Sequence, residues 1–346
     1  MPWTEILVAF VTFCAIYYIL AISLNLEYGF TGIPNFGKVL FYAAGAYTSA
    51  VVTGHLLTRL AGGSGADVCT ARSAALRETF AAQEPLTIMG VFLLALVASA
   101  LVGALLGGLL SLPSLRVRDV YLGLLLLVAA EIGRVFVRST PGIICGSHGM
   151  GGIPNPFSWI DGAGTRYLVY ALLCVLVALL CYWLVQRVVH TPWGRVLKMV
   201  RDDEEAAQAL GKNPAKVKIQ VMMLGSSLAA VAGSLYAFYS QFVGTEDFVP
   251  FLTFLVLSMV ILGGQANNLG AIFGVLVMTA IDRFTRGSIF SMLGIDLPFD
   301  VSYARYVVTG LVLALLVMYR PQGLFPERPL RTPAWEVWRR RAKSRA

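Results

Sequence analysis

A series of apolar runs, several of them close to 20 residues long, restricts this chain more than any other feature. At 1.5 Å rise per residue, about 20 apolar residues make a helix that crosses the hydrocarbon of a bilayer. Long runs occupy residues 5–24, 39–57, 86–112, 120–137, 167–189 and 217–242, and shorter ones follow at 251–262, 269–282 and 306–319. Within hydrocarbon a segment must satisfy its own backbone hydrogen bonds. The expected fold is therefore all-α, a polytopic transmembrane helical bundle of about eight or nine passes with broken or re-entrant segments. Composition agrees, with a mean hydropathy of +0.73 and 13% charged residues, where a soluble domain carries about 25%. Residues 251–262 are too short to cross alone, and G-G-Q-A-N-N-L-G (263–270) joins them to the next run as a tight turn or a broken helix. The run at 39–57 is rich in small residues (Ala43, Ala44, Gly45, Ala46, Ser49, Ala50), which let backbones approach closely, so it belongs inside the bundle. Residues 1–24 lack a basic start and an A-x-A exit and read as a retained helix rather than a cleaved leader.

Charge sets the orientation. The loop at 190–219 and its approaches carry Arg187, Arg195, Lys198, Arg201, Lys212, Lys216 and Lys218. The tail adds Arg320, Arg328, Arg331, Arg339, Arg340, Arg341, Lys343 and Arg345. Both are placed in the cytoplasm by the excess of basic residues on that side. Counting back puts the N-terminus and residues 58–85 outside, where only Arg59, Arg72 and Arg77 are basic. The net charge of +8 is thus a topology signal and implies no nucleic-acid partner. Residues 1–325 form one transmembrane domain containing the 190–219 loop, and residues 326–346 a basic cytoplasmic tail. The stretch W-R-R-R-A-K-S-R suits the anionic lipid of the inner leaflet.

The 190–219 loop has internal order. Trp193, Val196, Leu197 and Val200 fall at helical spacing, with Arg195, Lys198 and Arg201 off that stripe, as in a helix lying on a membrane surface, apolar side down. A second helix follows. Asp202 is its expected N-cap, Glu205 stands three residues later, and Gly211 is its stop. Its body, 204–210, is about two turns, and isolated helices below roughly 12–15 residues are marginal in water. Such a helix is expected to dock against another protein in the cytoplasm.

Enzyme signatures are missing. There is no Walker-type phosphate loop, H-E-x-x-H or G-x-S-x-G, and His55, His148 and His190 are scattered. No catalytic residue, metal site or cofactor is expected. Cys14, Cys174 and Cys181 lie in apolar runs, where Cys acts as a small hydrophobe. Cys69 and Cys145 fall in loops placed outside, and the sequence leaves a disulfide between them open.

Several ordered blocks carry a resemblance. R-D-D-E-E-A-A-Q-A-L-G (201–211) resembles the E-A-A cytoplasmic loop of ABC importer permeases. L-N-L-E-Y-G-F-T-G-I-P-N-F-G-K (24–38) followed by F-Y-A-A-G-A-Y, then V-I-L-G-G-Q-A-N-N-L-G-A, then Y-R-P-Q-G-L-F, are similar to blocks of the permease subunits of branched-chain amino acid ABC transporters. The similarity runs from about residue 22 to 325. There are departures: Cys145 precedes Gly146 where the family has a further Gly. Ala266, Asn267 and Asn268 replace a Gly-Ser or Gly-Thr, and no Pro stands near Ala271. The insertion at 58–85 is also long. The resemblance implies a non-enzymatic transport subunit in a prokaryotic inner or plasma membrane, with a cytoplasmic C-terminus. It implies two cytoplasmic ABC ATPase subunits, a second related permease and an extracytoplasmic substrate-binding protein as partners. Arg201, Asp202, Glu204, Glu205, Ala206, Ala207, Leu210 and Gly211 would form the ATPase-coupling element. Branched-chain amino acids are the implied substrate, with urea or short amides as the alternative within the class. An ion-coupled carrier is the rival class; it would expect several carboxylates in the spans, and only Glu131 and Glu27 offer themselves.

Three polar sets carry a translocation reading beside a structural one. Glu131 and Arg134, three apart in a span, either neutralise each other or line the path. The break at Gly29, Thr31, Gly32, Pro34 and Asn35 either presents half-helix ends to a polar substrate or is a turn between helices. The loop bearing Gly146, His148 and Gly149 either caps the pathway and meets the binding protein or is a connector. Asp282, Arg283 and Arg286 sit at a span end, where snorkelling to the interface is the expected account.

Overall fold

The computed structural model describes residues 2–63, 68–115, 119–284, 304–319 and 323–327. Its helices are α1 (Pro2–Leu24), α2 (Lys38–Leu60), α3 (Ala71–Gln83), α4 (Pro85–Ser111), α5 (Asp119–Ser139), α6 (Pro141–Ile144), α7 (Ala163–His190), α8 (Pro192–Asp202), α9 (Glu204–Ala209), α10 (Pro214–Ser240), α11 (Phe251–Gly263), α12 (Asn268–Phe284) and α13 (Ala304–Tyr319). A single π-turn, Asn25–Gly29, prolongs α1. Two two-residue strands, β1 (Met150–Gly151) and β2 (Phe242–Val243), pair antiparallel with Met150 opposite Val243. Among the described residues five helical stretches are long and apolar enough to cross a membrane: Thr4–Gly29, Pro85–Ser111, Ala163–His190, Pro214–Ser240 and Thr245–Gly263. The architecture is the all-α membrane bundle read from the apolar runs. The Arg286 part of the span-end reading, the 116–118 turn and the tail from 328 onward lie outside the described residues.

Small residues explain the packing. In α10, 78% of the apolar window is buried, against 33% in α4 and in α7, so α10 is central and the other two peripheral. A Cβ on Gly233 of α10 would lie 1.9 Å from the Tyr42 carbonyl of α2, and one on Gly45 of α2 would lie 2.0 Å from the Ala230 carbonyl. Gly103 and Gly107 of α4 meet the Ser226 and Met222 carbonyls at 2.6 Å in the same sense. With no hydrophobic drive between helices in lipid, such backbone-to-backbone contact holds them together. A serine chain adds to it at the crossing of the three helices: Ser49 Oγ donates to Ser234 Oγ at 2.7 Å and lies 2.9 Å from Ser99 Oγ. The interior placement expected for α2 is observed, with Ala46, Ala50 and Ser49 fully buried. The outer faces of α4 and α7 expose Leu94, Leu101, Leu105, Leu172 and Leu176.

At the end of the bundle where α2 finishes, Cys69 and Cys145 are joined in a disulfide that closes a 76-residue separation. It staples the α2–α3 connection to the Gly-rich loop. Arg77 of α3 is buried beside it and donates to the carbonyls of Gly151 (2.8 Å), Gly152 (2.9 Å) and Val68 (3.0 Å). Three guanidinium bonds aimed at loop carbonyls hold irregular backbone that would otherwise stay unpaired.

Three expectations need correction. The apolar stripe of α8 does not lie open to a membrane surface: Leu197 and Val200 are buried in the core of the bundle, and Gly194 packs on the last turn of α7, where a Cβ would lie 1.9 Å from the Val189 carbonyl. The N-cap of α9 is Asp203, not Asp202; Asp203 has extended backbone and accepts from Glu205 N (2.9 Å) and Ala206 N (3.0 Å), while Asp202 is the last helical residue of α8. Asp282 and Arg283 do not snorkel. Asp282 is buried, and the Arg283 guanidinium lies 3.5 Å over the ring of Phe13 in α1.

Candidate coupling and translocation site

The π-turn joins α1 to the start of α2, to α10 and to the α11–α12 turn. A π-turn carries one extra residue and re-aims side chains, and such bulges frequently mark functional positions. Here it turns Glu27 inward. Lys38, at the start of α2, places Nζ 2.8 Å from Glu27 Oε1, with side-chain exposures of 1% and 0%. Asn35 Nδ2 donates to Glu27 Oε2 at 2.8 Å, so both carboxylate oxygens are held. Gly225 of α10 leaves the room: a Cβ there would lie 2.1 Å from Glu27 Oε1. Asn25, on the same turn, accepts from Ala266 N and donates to Asn268 Oδ1, both at 2.9 Å, and so grips the α11–α12 turn. Asn268 Nδ2 then donates to Gln186 of α7 at 3.1 Å.

Of the five break residues read from the sequence, Gly29, Thr31, Gly32 and Asn35 make contacts in this joint. Gly29 packs against Asn25 and Ala266, and Thr31 Oγ1 donates to the Leu26 carbonyl at 3.1 Å. Gly32 adopts φ +78° and lies against Arg201, whose Cγ would be 3.1 Å from a Cβ. The break is a buried, hydrogen-bonded joint between helices rather than a pair of open half-helix ends.

Arg201 connects this joint to the 190–219 loop. From the last turn of α8, Nη1 donates to the Gly29 carbonyl at 2.8 Å and to Glu327 Oε2 at 2.9 Å, while Nε meets Asp202 Oδ1 at 3.1 Å. Partial burial pulls the Arg201 pKa down, but the Glu327 and Asp202 carboxylates outweigh it and hold the guanidinium above its ordinary value. Lys198 Nζ reaches Glu327 Oε1 at 2.5 Å and lies 5.6 Å from the centre of the Phe30 ring. The strand-like segment carrying Glu327 is itself anchored. Leu324 N donates to the Leu262 carbonyl (2.9 Å) and Phe325 N to the Gly263 carbonyl (3.2 Å), satisfying the C-terminal carbonyls that α11 leaves open.

Helix α9 projects beyond this knot. Its shape is supported within the chain by the Asp203 cap, by buried Ala207, by an ion pair between Glu204 and Lys218 of α10, and by Gly211 at φ +74°. Glu205 and Ala206 are exposed, and Leu210 is 66% exposed, a large apolar side chain on a polar knob.

The remaining candidates lie toward the other end. Arg134 Nη2 meets Glu131 Oε2 at 2.9 Å, the mutual neutralisation that the spacing allows. Arg134 also reaches Glu246 at 3.4 Å, and Arg138 reaches Glu246 at 3.0 Å, so the pair belongs to a four-charge network bridging α5 to the 3-10 turn Thr245–Asp247. Gly149 packs against Phe242 and Val243 of β2, Gly146 is buried and His148 is exposed. The sequence reading missed Lys38, Lys198, Glu246 and Glu327 as site members. Lys38 carried a signal, since an acid and a base flank the Gly- and Pro-rich break; Glu327 carried none.

Comparisons with known proteins follow this geometry. The family described as "Branched-chain amino acid transport system / permease component" matches residues 6–317. The probable branched-chain amino acid transport permease protein LivM of Methanocaldococcus jannaschii is 34% identical over 325 residues, covering 92% of each chain. The high-affinity branched-chain amino acid transport system permease protein LivM of Escherichia coli is 27% identical over 337 residues, covering 91% of this chain and 69% of that protein. The corresponding LivH permease protein of Salmonella typhimurium is 22% identical, covering 90% and 94%. No solved structure matches the chain significantly.

Proposed function

The chain belongs to the branched-chain amino acid transport system permease family, and from that premise we propose that it is one of two related permeases of an ABC importer carrying branched-chain amino acids. The second permease resembles the LivH relative. ATP is hydrolysed on two cytoplasmic ATPase subunits, and a binding protein delivers substrate outside. The exposed face of α9, with Glu205, Ala206 and Leu210, seats in an ATPase subunit. Exposed small and apolar side chains permit the close, dry contact such a seat requires. The C-terminus is cytoplasmic, a reading supported by the meeting of Glu327 with Lys198 and Arg201 of the basic loop.

The observation that carries the mechanism is the Arg201 bridge. When the ATPases close, α9 and α8 move together, and Arg201 passes the displacement to the carbonyl of Gly29. Gly29 belongs to a joint bound to α2, α10 and the α11–α12 turn, so one rigid link moves several spans. Reconstitution of the full complex in proteoliposomes tests the reading. Labelled leucine is expected to enter only with ATP inside, and urea not at all. Ala206→Glu is expected to lower co-purification of the ATPases and uptake by roughly tenfold or more, since it forces a charge into the contact. Unchanged ATPase association and uptake would refute the docking assignment.

A further inference from the structure

A cavity of about 200 Å³ lies between α1, α2, α10, the Thr245–Asp247 turn, the start of α11 and the end of α12. Three carboxylates line it, Glu246, Asp247 and Asp282. Aromatic faces line it too, from Phe13, Tyr17, Tyr42 and Tyr236. Phe251 and the aliphatic side chains of Val249, Leu252 and Leu255 complete the wall. Ionisable groups inside a membrane domain are expensive and mark substrate pathways by default. The volume is below the roughly 300–1,000 Å³ of sites for drug-sized ligands, and suits a molecule of amino-acid size.

The charges are arranged by side. Glu246 is held from α5 by Arg134 and Arg138. Asp247 accepts from Gly244 N at 3.1 Å, shares a side-chain hydrogen bond with Tyr236 and lines the cavity. Asp282 stands on α12, where the neighbouring Arg283 lies 3.5 Å above the Phe13 ring that walls the cavity. Carboxylates and ring faces both attract an ammonium, and the aliphatic wall takes a branched side chain. We propose that this cavity is a transit site for the amino acid, with its ammonium against Asp247 and Asp282 and its side chain against Leu252 and Leu255. The inference rests on the importer reading above and gives it a substrate site. It also explains why Glu246 is bridged to α5: the turn that forms one wall is tied to a helix that moves with the bundle.

The test uses the complete complex in proteoliposomes, with leucine uptake and ATP hydrolysis measured together. Asp247→Asn and Leu252→Trp are expected to cut uptake by roughly tenfold or more, while the ATPases still assemble and still hydrolyse ATP. Uptake within about twofold of wild type in both variants would overturn the site. Should either variant fail to assemble, Val249→Cys decides. A small thiol reagent is expected to label it, and leucine to protect it where 4-methylpentanoate, which lacks the ammonium, does not. Equal labelling under all three conditions would overturn the proposal. Failure of the wild-type complex to import leucine would instead sink the importer reading on which the site depends.

Discussion

A buried charge with one partner removed is more damaging than a pair removed together, and Glu27 and Lys38 show why this joint needs both. Their side chains are 0% and 1% exposed and sit 2.8 Å apart. Asn35 completes the carboxylate, and Gly225 gives it space. Lys38→Met is expected to cost about 3–5 kcal/mol by stranding the carboxylate, whereas Glu27→Gln combined with Lys38→Met recovers most of that loss. The readout is the folded fraction after graded heating of the purified protein, followed by gel filtration. Equal losses in the single and double variants would mean that the pair does not act as a unit. This contact was half legible. Glu27 stood out as a carboxylate beside an apolar run, but 11 positions and a Gly-Pro break separate it from Lys38, and no periodicity connects residues across a break.

At the scale of elements, length and polarity did most of the work. The apolar runs bound α1, α2, α4, α5, α7 and α10 to within a few residues, because a bilayer sets the length of a crossing helix. What hydropathy does not encode is which medium an apolar face meets. The α8 stripe has the spacing of a surface helix, yet Leu197 and Val200 are buried in the protein, since hydrocarbon and a protein core select the same residues. The cap of α9 shows a second limit. Asp202 and Asp203 are chemically equal capping residues, and only the extended backbone at Asp203 selects between them. Asp203→Ala is expected to destabilise α9 by about 1 kcal/mol and Asp202→Ala to leave it intact, as read by amide exchange over residues 204–210. A greater loss of protection in Asp202→Ala than in Asp203→Ala would return the cap to Asp202. Close helix crossings give a third test. Gly45→Leu drives a side chain into the Ala230 carbonyl, 2.0 Å from where Cβ would sit, and is expected to abolish folded yield, while Gly90→Leu on the open face of α4 is expected to be tolerated.

Across the whole molecule the two ends are built differently. One end is fixed: the Cys69–Cys145 bond and the Arg77 knot hold the α2–α3 insertion onto the Gly-rich loop. The other end is linked by charges, with Lys198, Arg201 and Glu327 joining α8, the π-turn and the segment that caps α11. A stator at one end and an articulated coupling at the other is what a helix bundle needs to turn movement at α9 into rearrangement of its spans. If Arg201 is that articulation, Arg201→Gln separates docking from transport. The exposed face of α9 is untouched, so the ATPases stay bound and hydrolyse ATP, yet leucine imported per ATP falls by roughly tenfold. Glu327→Gln is expected to do less, because the 2.8 Å bond from Arg201 to Gly29 remains. The ratio of uptake to hydrolysis in proteoliposomes measures both. A larger loss in Glu327→Gln than in Arg201→Gln would move the coupling from the π-turn to the C-terminal segment, and the mechanical route would then run through α11.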